Sequence, residues 1–293
     1  MDEGLQVESS IKRFLAHMLE QRAASENTLL AYRTDLEQFQ DVLEVQSSGG
    51  VDVGLIKAEW IQAYVEWLDL QGYRPATISR KVASCRSFLD YMKSVEKVST
   101  QHLTNLLSAP PAERQEPLTL KTGEVQALLD APRRRSSVGA LRDGAILALL
   151  YETGFRAAEV VGLSITDLDL QGRRVWRPPD RSDWRPIPDS ERAVRRYLVE
   201  ARPHLLRQPG ELTLFLNQRG NALSRQGLWL VVKRWAAEVG LDPGFSPHTL
   251  RHTRARDLLN QGHSRREVQE FLALSSPNGV RVRRSRNLEQ QEV

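Results

Sequence analysis

The chain has 293 residues, 40% hydrophobic and 27% charged, with a formal net charge of +4. This is globular composition, long enough for two domains with a core each, and no run approaches the roughly 18 apolar residues of a membrane span. One cysteine, Cys85, excludes an intrachain disulfide; with the acidic, polar opening MDEGLQVESS, which does not read as a signal peptide, it points to a reducing cytosol.

The first 93 residues read as a small helical bundle. In IKRFLAHMLEQR, Ile11, Phe14, Leu15, Met18 and Leu19 fall on one helical face, and Leu29, Tyr32, Leu36 and Phe39 repeat the pattern in SENTLLAYRTDLEQFQDVL. SSGGVDVG breaks it as a loop. A third helix, IKAEWIQAYVEWLDLQGY, ends near Gly72, and a fourth, RPATISRKVASCRSFLDYM, takes Pro75 into its first turn. Cys85 in that fourth helix reads as a small buried apolar residue.

Residues 94–117 lack clear periodicity, end in SAPPAERQEP, and read as an interdomain linker. Residues 118–293 are expected to form the second domain. Helices are predicted near 121–131 and 138–153. SITDLDLQGRRVWRPPDRSDWRPIPDS then alternates and carries Gly172, Pro178, Pro179 and Asp180, the signature of a small antiparallel sheet with hairpins. Helices resume at about 189–200, 224–239, 247–261 and 264–273. The predicted fold is mainly α with a small antiparallel β-sheet.

Charge is unevenly spread. Residues 1–113 hold 11 Lys and Arg against 16 Asp and Glu, whereas the remainder holds 30 against 21. A basic second part points to a polyanionic partner; an Arg-for-Lys bias in the coding sequence would give the same composition, with 34 arginines against 7 lysines.

FSPHTLRHTRA, residues 245–255, opens the predicted 247–261 helix. Ser246 suits the N-cap and Pro247 the first helical position, which places His248 in the first turn and Arg251 three residues on, facing the same way. Free N–H groups at a helix start favour anions, and a guanidinium fork matches phosphate oxygens. Spacing alone admits an anion site, an ordinary basic helix face, or a metal held by His248 and His252. The metal reading is the weakest: Thr249 stands where an HExxH motif needs Glu, and no second cysteine exists to help. Upstream, TGFRAAEVVGL sets Arg156 just after the Gly154 turn and Glu159 three residues later.

That order of parts, TGxRxxE, a β-hairpin, then HxLRH about 90 residues on, resembles the tyrosine recombinase (phage integrase) family, most like its Xer-like and integron-integrase types. SENTLLAYRTDLEQF and RPATISRKVASCRSFLDYM are similar to that family's N-terminal SAM-like core-binding domain. EPLTLKTGEVQALLDAP is similar to the entry of its α+β catalytic domain. The resemblance implies that Arg156, His248 and Arg251 hold a scissile DNA phosphate and stabilise its transition state, with Glu159 and His252 in support. It implies no cofactor and no metal, double-stranded DNA as partner, and a cytoplasmic, nucleoid-associated protein.

The family's remaining roles find no occupant. Its hairpin lysine, the general acid, falls on about Asp180; Arg177 or Arg181 could stand in as a charge, although guanidinium is a poor proton donor. Its third box reads like LGHxS, whereas LALSS here puts Leu274 at the histidine. The attacking tyrosine should come about nine residues later, at Arg283. The six tyrosines are Tyr32, Tyr64, Tyr73, Tyr91, Tyr151 and Tyr197, all before His248. Ser275, Ser276 and Ser285 lack any marked activating base.

The expected function is therefore DNA binding in recombination or integration by a protein inactive on its own. Arg74, Arg80, Lys81 and Arg86 are candidates for a basic strip on the fourth helix. Arg254 and Arg256, with Arg265 and Arg266, are candidates for a second basic surface. Competing expectations are a subunit active only beside a catalytic recombinase that donates the nucleophile, self-association, a scaffold without a DNA role, and a decayed or frameshifted product.

Overall fold

The computed structural model describes residues 5–22, 24–47, 50–107, 116–178, 181 and 183–274. The chain divides into two units, Met1–Arg114 and Gln115–Val293.

The first unit is helical: α1 (Val7–Arg22), α2 (Glu26–Ser47), α3 (Ala58–Leu70), α4 (Pro75–Ser94) and a short α5 (Gln101–Thr104). Pro75 opens α4 because its fixed φ suits the first helical position and its missing N–H would have no partner there. The apolar faces read from the sequence meet in one core, with Phe14, Phe39, Tyr64 and Phe88 fully buried. Phe39 meets Tyr64 edge-to-face at 4.9 Å, and Phe14 meets Phe88 likewise at 5.8 Å. Cys85 is buried in this core, as expected.

Part of the stretch read as linker is bundle. Thr100 Oγ1 donates to the Leu89 carbonyl at 2.7 Å, and Leu103 and Leu107 are buried in the same core. Two apolar residues in a single helical turn are too few to show a period, which is why the sequence reads as irregular there.

The second unit begins with α6 (Thr122–Arg133) and α7 (Val138–Thr153). Ser137 caps α7 by accepting from the Ala140 N–H, and most of α7 is buried, so it runs through the core. Gly154, at φ +61°, ends it in the left-handed region. Then come α8 (Ala157–Val161) and the antiparallel sheet β1 (Leu168–Asp169), β2 (Arg174–Trp176) and β3 (Trp184–Pro186), in that spatial order. Val175 faces Arg185 across the sheet, and Trp176 stacks on Trp184 at 4.0 Å.

The helix expected at 189–200 is α9 (Glu191–Arg196), which widens into a π turn over Tyr197–Ala201 before α10 (Arg202–Leu205). Pro203 offers no N–H to the Val199 carbonyl, so the regular ladder cannot pass through this point. The unit closes with α11 (Arg225–Glu238), α12 (Pro247–Asn260) and α13 (Arg265–Phe271), each starting within a residue or two of its predicted bound. Phe155, Tyr197, Phe215, Trp235 and Phe245 fill the core. Among the described residues no helix is long and apolar enough to cross a membrane.

Candidate phosphate-binding site

Three segments of the second unit converge on one carboxylate, that of Glu159. The first is the turn after α7. Arg156 is the N-cap of α8, and its backbone N–H donates to Glu159 Oε2 at 2.5 Å while its guanidinium donates to Oε1 at 3.2 Å. The Arg-x-x-Glu spacing is therefore that of a capping contact, N-cap to N3. Arg156 keeps 44% of its side chain exposed.

The second segment is α12. Arg251 is buried, with its side chain 6% exposed and 3.9 Å from Glu159 Oε2. One of its terminal nitrogens donates to the carbonyl of Gly154 and the other to that of Leu272, at 2.5 Å for the latter. Gly154 is thus both the stop of α7 and a seat for Arg251. A Cβ on Gly154 would lie 2.6 Å from Leu272 Cδ2, so the positive φ and the close approach both require glycine.

The third segment is the sheet. Arg177, just after β2, is buried, with its guanidinium 5.0 Å from the Phe155 ring. It lies 3.5 Å from Glu159 Oε1 and donates to the carbonyls of Phe271 at 2.6 Å and Leu272 at 3.4 Å. Arg185 on β3 donates to the Glu270 carbonyl at 3.2 Å and sits 4.9 Å from the Phe271 ring. From sequence, Arg177 stands only as a spare charge and Arg185 has no role. Alternation with Val175 is the available signal, since Arg177 two residues on shares its inward face.

Four consecutive carbonyls at the end of α13, from Glu270 to Ala273, accept from Arg185, Arg177, Arg251 and Arg156. Cations suit this negative helix end. The end itself is a Schellman turn: the N–H groups of Ala273 and Leu274 donate back to Glu270 and Gln269, and Ala273 takes φ +45°. Leu274 packs its side chain against the small cluster of Ala255, Leu258, Leu259, Val268 and Leu272.

Burial and the neighbouring Arg156 guanidinium push the Arg251 pKa down to about 10; burial likewise lowers that of Arg177. Three guanidiniums around one carboxylate leave excess positive charge, which an oxyanion would neutralise while accepting from the forks.

The other predicted residues are placed differently. His248 lies exposed in the first turn of α12, and no described hydrogen bond ties its ring to the arginine cluster. His252 is half-buried one turn on. Among the described residues no group of three or more His, Cys, Asp or Glu could hold a metal. Asp180 and Arg283 lie outside the described residues.

The basic strip on α4 needs correction. Arg74 and Arg86 are exposed, the latter donating to the Leu107 carbonyl, but Lys81 is only 3% exposed. Its ammonium donates to Asp35 Oδ1 at 3.0 Å and to Gln38, and Asp35 also receives Arg80 and the Ser84 hydroxyl. Lys81 thus neutralises a buried carboxylate instead of facing solvent. On α12, Arg256 is likewise internal: it donates to Thr119 Oγ1 at 3.0 Å, to the Leu120 carbonyl and to Asp257, fastening α12 to the entry of α6. Arg254 is half-buried between the rings of Tyr151 and Phe271, 5.7 Å from each. Arg265 and Arg266 are exposed.

Known proteins similar to this chain identify its family. Residues 119–286 match the Phage integrase family, and residues 11–96 match the Phage integrase, N-terminal SAM-like domain. The chain belongs to the phage integrase family. It is 34% identical over 279 residues to "Tyrosine recombinase XerC" of Herpetosiphon aurantiacus, covering 94% of this chain and 90% of the relative. It is 36% identical over 281 residues to "Tyrosine recombinase XerD" of Corynebacterium glutamicum, covering 92% and 91%. The fold matches that of a XerH site-specific recombinase bound to its difH substrate in a pre-cleavage complex, with a TM-score of 0.72, 18% identity and coverage of 96% and 93%.

Proposed function

We propose that this chain binds double-stranded DNA as a tyrosine-recombinase-family protein, gripping a backbone phosphate with Arg156 and Arg251, with His248 at the rim, and does not cleave DNA on its own. The observation that carries the grip is the convergence of the part-exposed Arg156 and the buried Arg251 on Glu159, which holds two permanent cations together. The relatives named as XerC and XerD recombinases and the DNA-bound neighbour of the same fold support DNA as the partner.

The lack of cleavage rests on the sequence. The segment from His248 to Val293 contains no tyrosine, Leu274 replaces the third-box histidine, and Arg283 stands at the nucleophile's place. A phosphate held by cations is polarised, but without a nucleophile in line no phosphorus–oxygen bond breaks. The test is a nicked suicide duplex, which traps a covalent intermediate when a side chain attacks. The expected result is salt-sensitive binding without a trapped adduct. A protease-sensitive protein–DNA adduct formed by this chain alone would refute the proposal.

A further inference from the structure

We infer that the groove between α7 and α9 of the second unit is a docking surface for an acidic amphipathic helix of a partner protein. The groove lies toward the start of α7, whereas Gly154 ends that helix, so it stands apart from the arginine cluster and does not rest on its reading.

The groove has a volume of about 810 Å³, and Pro132, Ala140, Leu141, Gly144 and Ala193 form its apolar floor. The glycine and the two alanines let a visiting helix come close. One wall runs along α9 and the π turn from Arg192 to Glu200. At the helical rise this is about 12 Å, just over two turns, which makes an elongated seat for a peptide segment and not a hole for an ion. In the π turn, at the end of that wall, Val199 is 71% exposed. The fold gains nothing from an apolar side chain held in water, whereas a partner continuing the apolar floor would cover it.

Four guanidiniums line the groove, those of Arg133, Arg192, Arg195 and Arg196, against the two carboxylates of Asp189 and Glu200. Arg192 is exposed and takes no partner among the described residues. Arg133, Arg195 and Arg196 pair with Asp130, Glu191 and Glu200 along their own helices, and each of these arginines is about half exposed. Exposed pairs of this kind stabilise weakly and are readily exchanged for a better acceptor. Charge complementarity therefore calls for carboxylates on the partner, and the floor calls for apolar side chains between them. Duplex DNA answers the first demand only, since its phosphates present no apolar face and the rim carboxylates repel them. The basic second unit of another copy brings like charge, 30 Lys and Arg against 21 Asp and Glu.

The experiment uses the full chain and a phage-displayed library of random peptides about 12 residues long. Peptides selected on the wild-type chain are then titrated by fluorescence anisotropy against Arg192→Glu and Val199→Asp, two exposed positions whose melting temperatures report intact folding. The expected result is enrichment of Asp and Glu around apolar residues three and four apart, with affinity for each variant lowered by about tenfold or more. Duplex binding by the variants is expected to equal that of wild type. Selected peptides without that pattern, peptides that bind the variants as tightly as wild type, or no enrichment at all would overturn the inference. So would a loss of duplex affinity in both variants, which makes the groove a DNA surface. Self-association of the wild-type chain that Val199→Asp abolishes would overturn it too, by making the groove an interface between copies.

Discussion

Arg177 and Arg251 donate to the same acceptor, the carbonyl oxygen of Leu272, from the end of β2 and from α12. The sheet, the long helix and the short α13 are locked at one atom. Residues that are expected to hold DNA thereby also hold the fold, and the two duties can be separated experimentally.

Arg251→Met is expected to destabilise the second unit by about 3 kcal/mol, because it strands the carbonyls of Gly154 and Leu272 and removes a buried partner of Glu159. Arg156→Ala should cost under about 1 kcal/mol, since its ion pair is partly exposed. Both should weaken duplex binding. Urea unfolding beside a binding titration checks this; an Arg156→Ala protein as unstable as Arg251→Met would contradict the division.

Ala273→Gly should stabilise the protein by about 1 kcal/mol, because an L-residue with φ +45° carries a strain that glycine lacks. The readout is the urea midpoint with an unchanged slope. A lower midpoint would mean that the turn does not set the register of α13.

Asp35→Asn is expected to cost about 3 kcal/mol in the first unit, leaving Lys81 buried without its counter-charge. Replacing both partners with apolar residues, Asp35→Leu with Lys81→Met, should recover most of that loss. If the double variant is no better than the single one, the pair is not the source of the penalty.

Burial pushes the Cys85 thiol up to about 12. The folded thiol keeps its proton where the unfolded thiol, with an ordinary pKa near 9, releases it. The folded state thus binds more protons between about pH 9 and 12, and stability falls as pH rises through that window. Tyr91, raised to about 12, acts with the same sign. Urea midpoints at stepped pH should show the decline, and Cys85→Ala should flatten part of it. At neutral pH Cys85 should resist thiol reagents until the unit unfolds; rapid labelling of the folded protein would count against its burial.

Much of the fold is legible from residues alone. The bundle helices and the hairpins come from local periodicity and turn residues, which act over a few residues, whereas Glu159 as a partner of the arginines is implied only by the family resemblance. Lys81 is misplaced by the charge pattern although a signal for its burial exists: Ile78, Val82 and Cys85 flank it on one inward helical face. Arg177 could not be placed, because alternation gives the face of a strand and not the distant carbonyls it meets. The exposure of His248, and the use of Arg254 and Arg256 as internal ties, depend on how α12 rolls against α6 and α13, which no local pattern encodes.

A single turn of chain at Gly154 couples folding to the arginine cluster. This residue cannot gain a side chain without pushing α13 aside, and its carbonyl anchors the arginine that reaches it from α12. Whatever keeps this turn folded therefore keeps Arg251 beside Glu159, so the arginine cluster is inherited with the fold and not added to it.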